Sequence, residues 1–120
     1  MTDRNSDDRP GLAVRDEAMA LSTVGGDAQL AAELYALLRA SLPADLATLR
    51  ARQATADWST VAETAHRVRG ASRYCGVPAL DQALGNLETL ARAGRDPAGI
   101  AAAVERVADE VGRLPTVADS

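Results

Sequence analysis

The sequence predicts an all-α fold, an antiparallel four-helix bundle with a short extra helix at its N-terminal end. Three observations carry that expectation. The apolar residues are mostly Ala, Leu and Val, with no Phe, one Trp and two Tyr, a vocabulary that favours helices over the aromatic and β-branched runs of strands. Apolar positions recur at three- and four-residue spacing through most of the chain. The segments between them are short and carry helix-capping and helix-breaking residues, as connections in a bundle do.

Taken in order, residues 1–10 (MTDRNSDDRP) are polar and charged and end in proline, the composition of a disordered lead-in or linker. The bundle is expected over residues 11–114 and a flexible tail over 115–120. A short first helix is expected from about Val14 to Leu21, ended by the Gly25–Gly26 pair. Asp27 caps the second helix, whose stripe is Leu30, Leu34, Leu37, Leu38, Leu42, Leu46 and Leu49. Pro43 lies inside that run and cannot donate to the carbonyl of Arg39, so it should kink or split the helix. Asp57 caps the third helix, which runs through His66 to about Tyr74, with Gly76 ending it. Pro78 suits the first turn of the fourth helix, whose stripe is Leu80, Leu84, Leu87 and Leu90 and whose end is Gly94. Asp96 and Pro97 then open a fifth segment with Ile100, Val104, Val107, Val111 and Leu114 on one side.

Composition narrows the function classes. With 120 residues, one domain with its own core is the natural reading. The net charge of -4 argues against a nucleic-acid partner. One cysteine, Cys75, allows no internal disulfide and no zinc spacing, which fits a reducing compartment. No apolar run reaches the roughly 18 residues of a membrane span, and the first residues lack the apolar core of a signal peptide. The expectation is a cytoplasmic chain without direct membrane contact, tethered at the inner membrane only through a parent protein. The abundance of Ala and Arg points to a GC-rich bacterial genome.

The single histidine gives the sequence its chemistry. With about 100° of turn per residue, Val61, Ala65, Val68 and Ser72 fall roughly opposite His66, while Ala62, Arg69, Gly70 and Arg73 fall within about 60° of it. His66 is therefore expected on an exposed face among small and cationic residues. A lone histidine is commonly a satisfied core residue or an incidental surface one; the wheel removes the first reading and the neighbours weaken the second. Gly70, one turn on, costs about 1 kcal/mol relative to alanine in a helix interior. Close helix packing is the structural alternative for it, but it points away from the expected core, and a bare backbone beside an imidazole lets another protein approach the ring.

A neutral imidazole nitrogen is a good nucleophile near neutral pH. Were it phosphorylated, the group would carry nearly two negative charges, which Arg69 and Arg73 could balance. Arg67 reads as an ordinary solvated residue. Glu88, on the next helix, could accept the Nδ1 proton and leave Nε2 free to attack, or could form a surface salt bridge to an arginine; the residues alone leave both open.

The residues Asp57-Trp58, AETAHRVRGASRYCGVPAL (62–80) and LETLARAG (87–94) together resemble the histidine-containing phosphotransfer (HPt) domain family, over about residues 12–114. The RYCGVP stretch looks most like HPt domains of BarA/GacS-type hybrid sensor kinases. The resemblance implies that His66 is the phosphorylated residue, on Nε2. It puts Arg69 where the family usually has lysine, makes Gly70 the access glycine, and matches Glu88 to a polar position able to hydrogen-bond the imidazole. Val68 replaces a common leucine, and arginine for lysine alters reach and geometry.

The implied function is the middle step of a phosphorelay: His66 accepts a phosphoryl group from a receiver-domain aspartate and gives it to another. The implied partners are response-regulator receivers and a hybrid sensor histidine kinase, with the domain itself a monomer. The family lacks kinase machinery, and the sequence has no nucleotide-binding loop, so the chain is expected to be a carrier rather than an enzyme. It would hold no cofactor or metal, and Mg2+ would belong to the receiver. A docking bundle that carries no phosphate is the alternative. Glu63-x-x-His66 matches half of a di-iron signature, but the second histidine that such a site needs is absent.

Overall fold

The computed structural model describes residues 12–116, and among them all regular structure is helical. α1 spans Glu17–Thr23, α2 Ala28–Ala54, α3 Trp58–Ser72, α4 Pro78–Ala93 and α5 Pro97–Arg113. The lead-in expected over residues 1–10 and most of the expected tail (117–120) lie outside the described residues. α2, α3, α4 and α5 close a ring, each packing on two of the others, and α1 leans on α2. This is the expected four-helix bundle with its extra short helix.

Four of the five described helices start at an aspartate cap. Asp16, Asp27, Asp57 and Asp96 accept backbone N–H bonds from Met19, Leu30, Thr60 and Gly99, respectively, satisfying donors that a helix start leaves unpaired. Pro78 and Pro97 sit in the first turns of α4 and α5, where a missing N–H is harmless. Gly94 closes α4 in the left-handed conformation. The core between the helices is Leu49, Val61, Leu80, Leu84, Leu87, Ile100, Val104 and Val107, all buried.

Three details differ from the sequence expectation. α1 begins at Glu17, three residues later than expected, because residues 13–16 instead pair with the α3–α4 turn: the Asp16 N–H donates to the Gly76 carbonyl (2.7 Å) and the Ala79 N–H to the Ala13 carbonyl (3.1 Å). Gly76 adopts φ +63°, and a Cβ there would strike the Asp16 carbonyl oxygen, so this turn requires glycine. α2 is not split at Pro43. The proline is exposed, so the carbonyl it leaves without a donor lies on the solvent side, while Leu38, Leu42 and Leu49 hold the opposite side to the core. Finally, Leu30 and Leu37 are exposed, Leu37 by 67%. They lie on the flank of the α2 stripe, which is wider than the surface its neighbours cover.

Pro115, the first residue of the expected tail, is tied back to the bundle. Its carbonyl accepts the Tyr35 hydroxyl (2.5 Å), and Arg39 donates to the Leu114 carbonyl. Burial raises the Tyr35 phenol above its ordinary value, with Arg39 and Arg15 opposing. The Arg15 guanidinium stacks over the same ring, 4.1 Å from its centre.

Candidate functional site: a histidine on the α3–α4 seam

α3 separates its two faces as the wheel requires. Val61, Ala65, Val68 and Ser72 are buried, and His66 stands on the other side with 68% of its side chain exposed. Ala62, placed near His66 by its angle, is itself buried; that edge of the helix is covered by α4. Gly70 is exposed, and a Cβ added there would meet nothing within 4 Å. Internal packing therefore gives no reason for glycine at this position, and the bare backbone opens to solvent.

The packing of α4 against α3 brings Glu88 beside the imidazole. Glu88 is buried, with 11% of its side chain exposed. Its Oε2 lies 3.0 Å from His66 Nδ1. An ionised carboxylate can only accept, so in the neutral ring the proton sits on Nδ1 and the lone pair on Nε2. Of the two roles that the sequence left open for Glu88, the geometry has both, since Arg92 donates to the same oxygen through Nε (3.0 Å) and Nη2 (2.7 Å). The hydrogen bond from Arg92 is the main reason that the Glu88 carboxyl is held below the usual carboxylate range; burial opposes it, and His66 adds to it.

Arg69 does not stand free in solvent beside His66. It lies in the seam, with Nη1 3.6 Å from Glu88 Oε1 and Nε 3.9 Å from Asp81 Oδ1, its guanidinium against Gly85. Asp81 is fixed from α3 by the Ser72 hydroxyl, which donates to it at 2.8 Å. Arg73 is exposed and makes no ion pair among the described residues; with Arg69, Asp81, Gly85 and Met19 it lines a groove of about 470 Å3 that follows the seam. Arg67, read as an ordinary solvated residue, pairs with Asp45 of α2 at 3.1 Å, and that carboxylate is largely buried.

Sequence reasoning passed over Arg92, Asp81 and Asp45. The signal for Arg92 was present, since a glutamate followed four residues later by arginine marks a helical ion pair. Those for Asp81 and Asp45 lie in which helices meet, which no local spacing states. Among the described residues no group of three or more His, Cys, Asp or Glu side chains could hold a metal ion, and no helix is long and apolar enough to cross a membrane.

Comparison with known proteins gives these features a context. The sequence pattern of the Hpt domain matches residues 33–116. Over 103 residues the chain is 40% identical to the sensor histidine kinase GacS of Pseudomonas protegens, covering 86% of this chain and 11% of that protein. Over 80 residues it is 44% identical to the sensor protein GacS of Pseudomonas syringae pv. syringae, covering 67% of this chain and 9% of that one. The chain thus spans about a tenth of the length of the curated relatives it matches. The fold superposes with a TM-score of 0.77 on the crystal structure of the HPT domain of a sensor hybrid histidine kinase from Shewanella, with 23% identity, covering 84% of this chain and 86% of that one.

Proposed function

Because the chain belongs to the Hpt domain family, we propose that it is a phosphoryl carrier in which His66 Nε2 takes the phosphoryl group from a receiver-domain aspartyl phosphate and delivers it to the aspartate of a second receiver. The observation that carries this reading is the exposed imidazole whose Nδ1 is committed to buried Glu88, leaving the Nε2 lone pair for the incoming phosphorus.

In the forward step an Nε2–P bond forms as the acyl O–P bond breaks, and the aspartate leaves as a carboxylate. The ring keeps its Nδ1 proton, and Glu88 balances the positive charge that develops on it. Arg69 and Arg73, one and two turns along α3 from His66, are the cations assigned to balance the phosphoryl charge. Gly70 provides the close approach that the receiver needs. The chain contributes position and charge, while Mg2+ and its acidic pocket belong to the receiver. The partners are receiver domains of response regulators or of a hybrid sensor histidine kinase, and the exchange takes place in the cytoplasm.

The test uses receivers from the same genome, phosphorylated in the presence of Mg2+. The expected result is acid-labile, base-stable label on the wild-type chain and none on His66→Gln. Label that persists on His66→Gln, or a wild-type chain that no receiver labels, overturns the reading. If His66→Gln still binds receivers and supports signalling, the chain is a docking module instead.

A further inference from the structure

Four N–H donors surround the Glu88 carboxylate, and their distribution is uneven. Oε2 takes three of them: His66 Nδ1 at 3.0 Å, Arg92 Nε at 3.0 Å and Arg92 Nη2 at 2.7 Å. Oε1 is buried and accepts no hydrogen bond, with Arg69 Nη1 standing off at 3.6 Å. Nothing in the His66–Glu88 pair itself forces this arrangement. A buried carboxylate with one vacant oxygen and a guanidinium just beyond bonding distance would gain by turning toward that guanidinium, and the turn would take Oε2 away from the imidazole. Arg92, one turn along α4 from Glu88, opposes it by gripping Oε2 with two donors.

Resting on the carrier reading above, we propose that Arg92 is a positioning residue for the phosphoryl-accepting histidine: its two-point grip on Glu88 Oε2 fixes the carboxylate against His66 and holds the ring in the tautomer whose Nε2 can attack. The tautomer has to be imposed, because a free neutral histidine side chain favours the proton on Nε2, the form with no lone pair there. Two guanidinium N–H groups on Oε2 also make that oxygen a poor proton acceptor, so the proton stays on Nδ1 through the step. As the Nε2–P bond forms and the acyl O–P bond breaks, the electron pair leaves with the aspartate, and the cationic ring remains beside an ionised Glu88. On delivery the N–P bond breaks and the pair returns to Nε2. Arg92 touches neither the phosphoryl group nor the ring in this scheme and acts only through Glu88.

His66 is the sole histidine, so 15N-histidine labelling gives one ring to read by NMR, at about pH 8.5, where an ordinary imidazole is neutral. Wild type is expected to show a protonated Nδ1 and a bare Nε2. In Arg92→Gln the two nitrogen shifts are expected to move toward each other as the other tautomer appears, and the rate of transfer from a phosphorylated receiver to fall about tenfold, the scale of one charge-assisted hydrogen bond. Arg92→Lys, a single-point cation, is expected to recover part of both. In a Glu88→Gln background, Arg92→Gln is expected to add nothing. The Arg92 side chain is about half exposed, and circular dichroism of the variant is expected to match wild type. Wild-type nitrogen shifts and transfer rate in Arg92→Gln would overturn the proposal, as would an equal further loss in the Glu88→Gln background. If no receiver labels even the wild-type chain, the carrier reading falls, and the ring-nitrogen shifts alone still decide for or against Arg92.

Discussion

α4 presents different chemistry to its two neighbours. Toward α3 it offers Asp81 and buried Glu88, met by Ser72, Arg69 and His66. Toward α5 it offers Ala83 and Leu90, which with Ala102 and Ala103 form the apolar part of a groove of about 490 Å3 that Asn86, Thr89 and Arg106 also line, over a core of Leu84, Leu87, Ile100 and Val104. Burying a carboxylate is costly unless donors surround it, and even then such a site adds less stability than apolar packing of the same volume. Both sides share the apolar core, to which α3 adds Val61, Ala65 and Val68; what sets the α3 side apart is that stability is also spent there on holding Glu88, Asp81 and their partners at fixed distances. The helix carries both because its apolar stripe and its polar stripe lie on different flanks.

The comparison breaks first, and most visibly, at the core. Leu84 is fully buried, and Leu84→Ala is expected to lower unfolding free energy by about 3 kcal/mol, read from denaturant or thermal melts. At a temperature where the variant stays folded, its transfer rate from a phosphorylated receiver is expected to remain within a few-fold of wild type. A large kinetic loss in a fully folded Leu84→Ala protein would show that the two flanks are not separable.

Gly70 reverses that pattern. An added Cβ meets nothing within 4 Å, and replacing a mid-helix glycine with a good helix former is expected to stabilise the chain by up to about 1 kcal/mol. Gly70→Leu should therefore melt at or above the wild-type temperature while transferring roughly tenfold or more slowly, because the new side chain occupies the approach to the ring, where small misplacements have large kinetic effects. A variant that transfers at full rate would remove access as the reason for this glycine.

What the sequence made legible follows the same division. The main helices, the aspartate caps of α2, α3 and α5 and the buried stripes of α4 and α5 were readable, because capping and periodicity are local rules; the start of α1 and its Asp16 cap were not, because pairing of residues 13–16 with the α3–α4 turn decides them. So were the exposure of His66 and the open backbone at Gly70, both consequences of one helical wheel. The partners on α4 were not fixed by any wheel, since the register between two helices is set by how their side chains interlock. Glu88 could be nominated but not placed, and Arg69 was assigned to the right face yet bends into the seam toward Glu88 and Asp81. α2 shows the converse limit: its leucines mark an apolar face correctly, but exposed Leu30 and Leu37 show that the stripe is wider than the surface that neighbouring helices cover.

The smallest expected effect sharpens the contrast through pH. The Glu88 carboxyl is held below its ordinary value, chiefly by the hydrogen bond from Arg92. A group whose folded value is depressed stabilises the fold fully above its unfolded value, near pH 4.3 for glutamate, and loses that contribution as pH falls through the folded value. Glu88→Gln keeps the shape but removes the charge, so it is expected to cost about 1 kcal/mol at neutral pH. That difference from wild type should hold down to about pH 5 and shrink below it. Urea melts of both proteins across this range check the sign, with Leu84→Ala as the control, whose deficit should not depend on pH there because no titrating group is altered. A Glu88→Gln deficit that stays constant into acid would mean that the carboxylate charge does not contribute to stability and that the seam is held by shape alone.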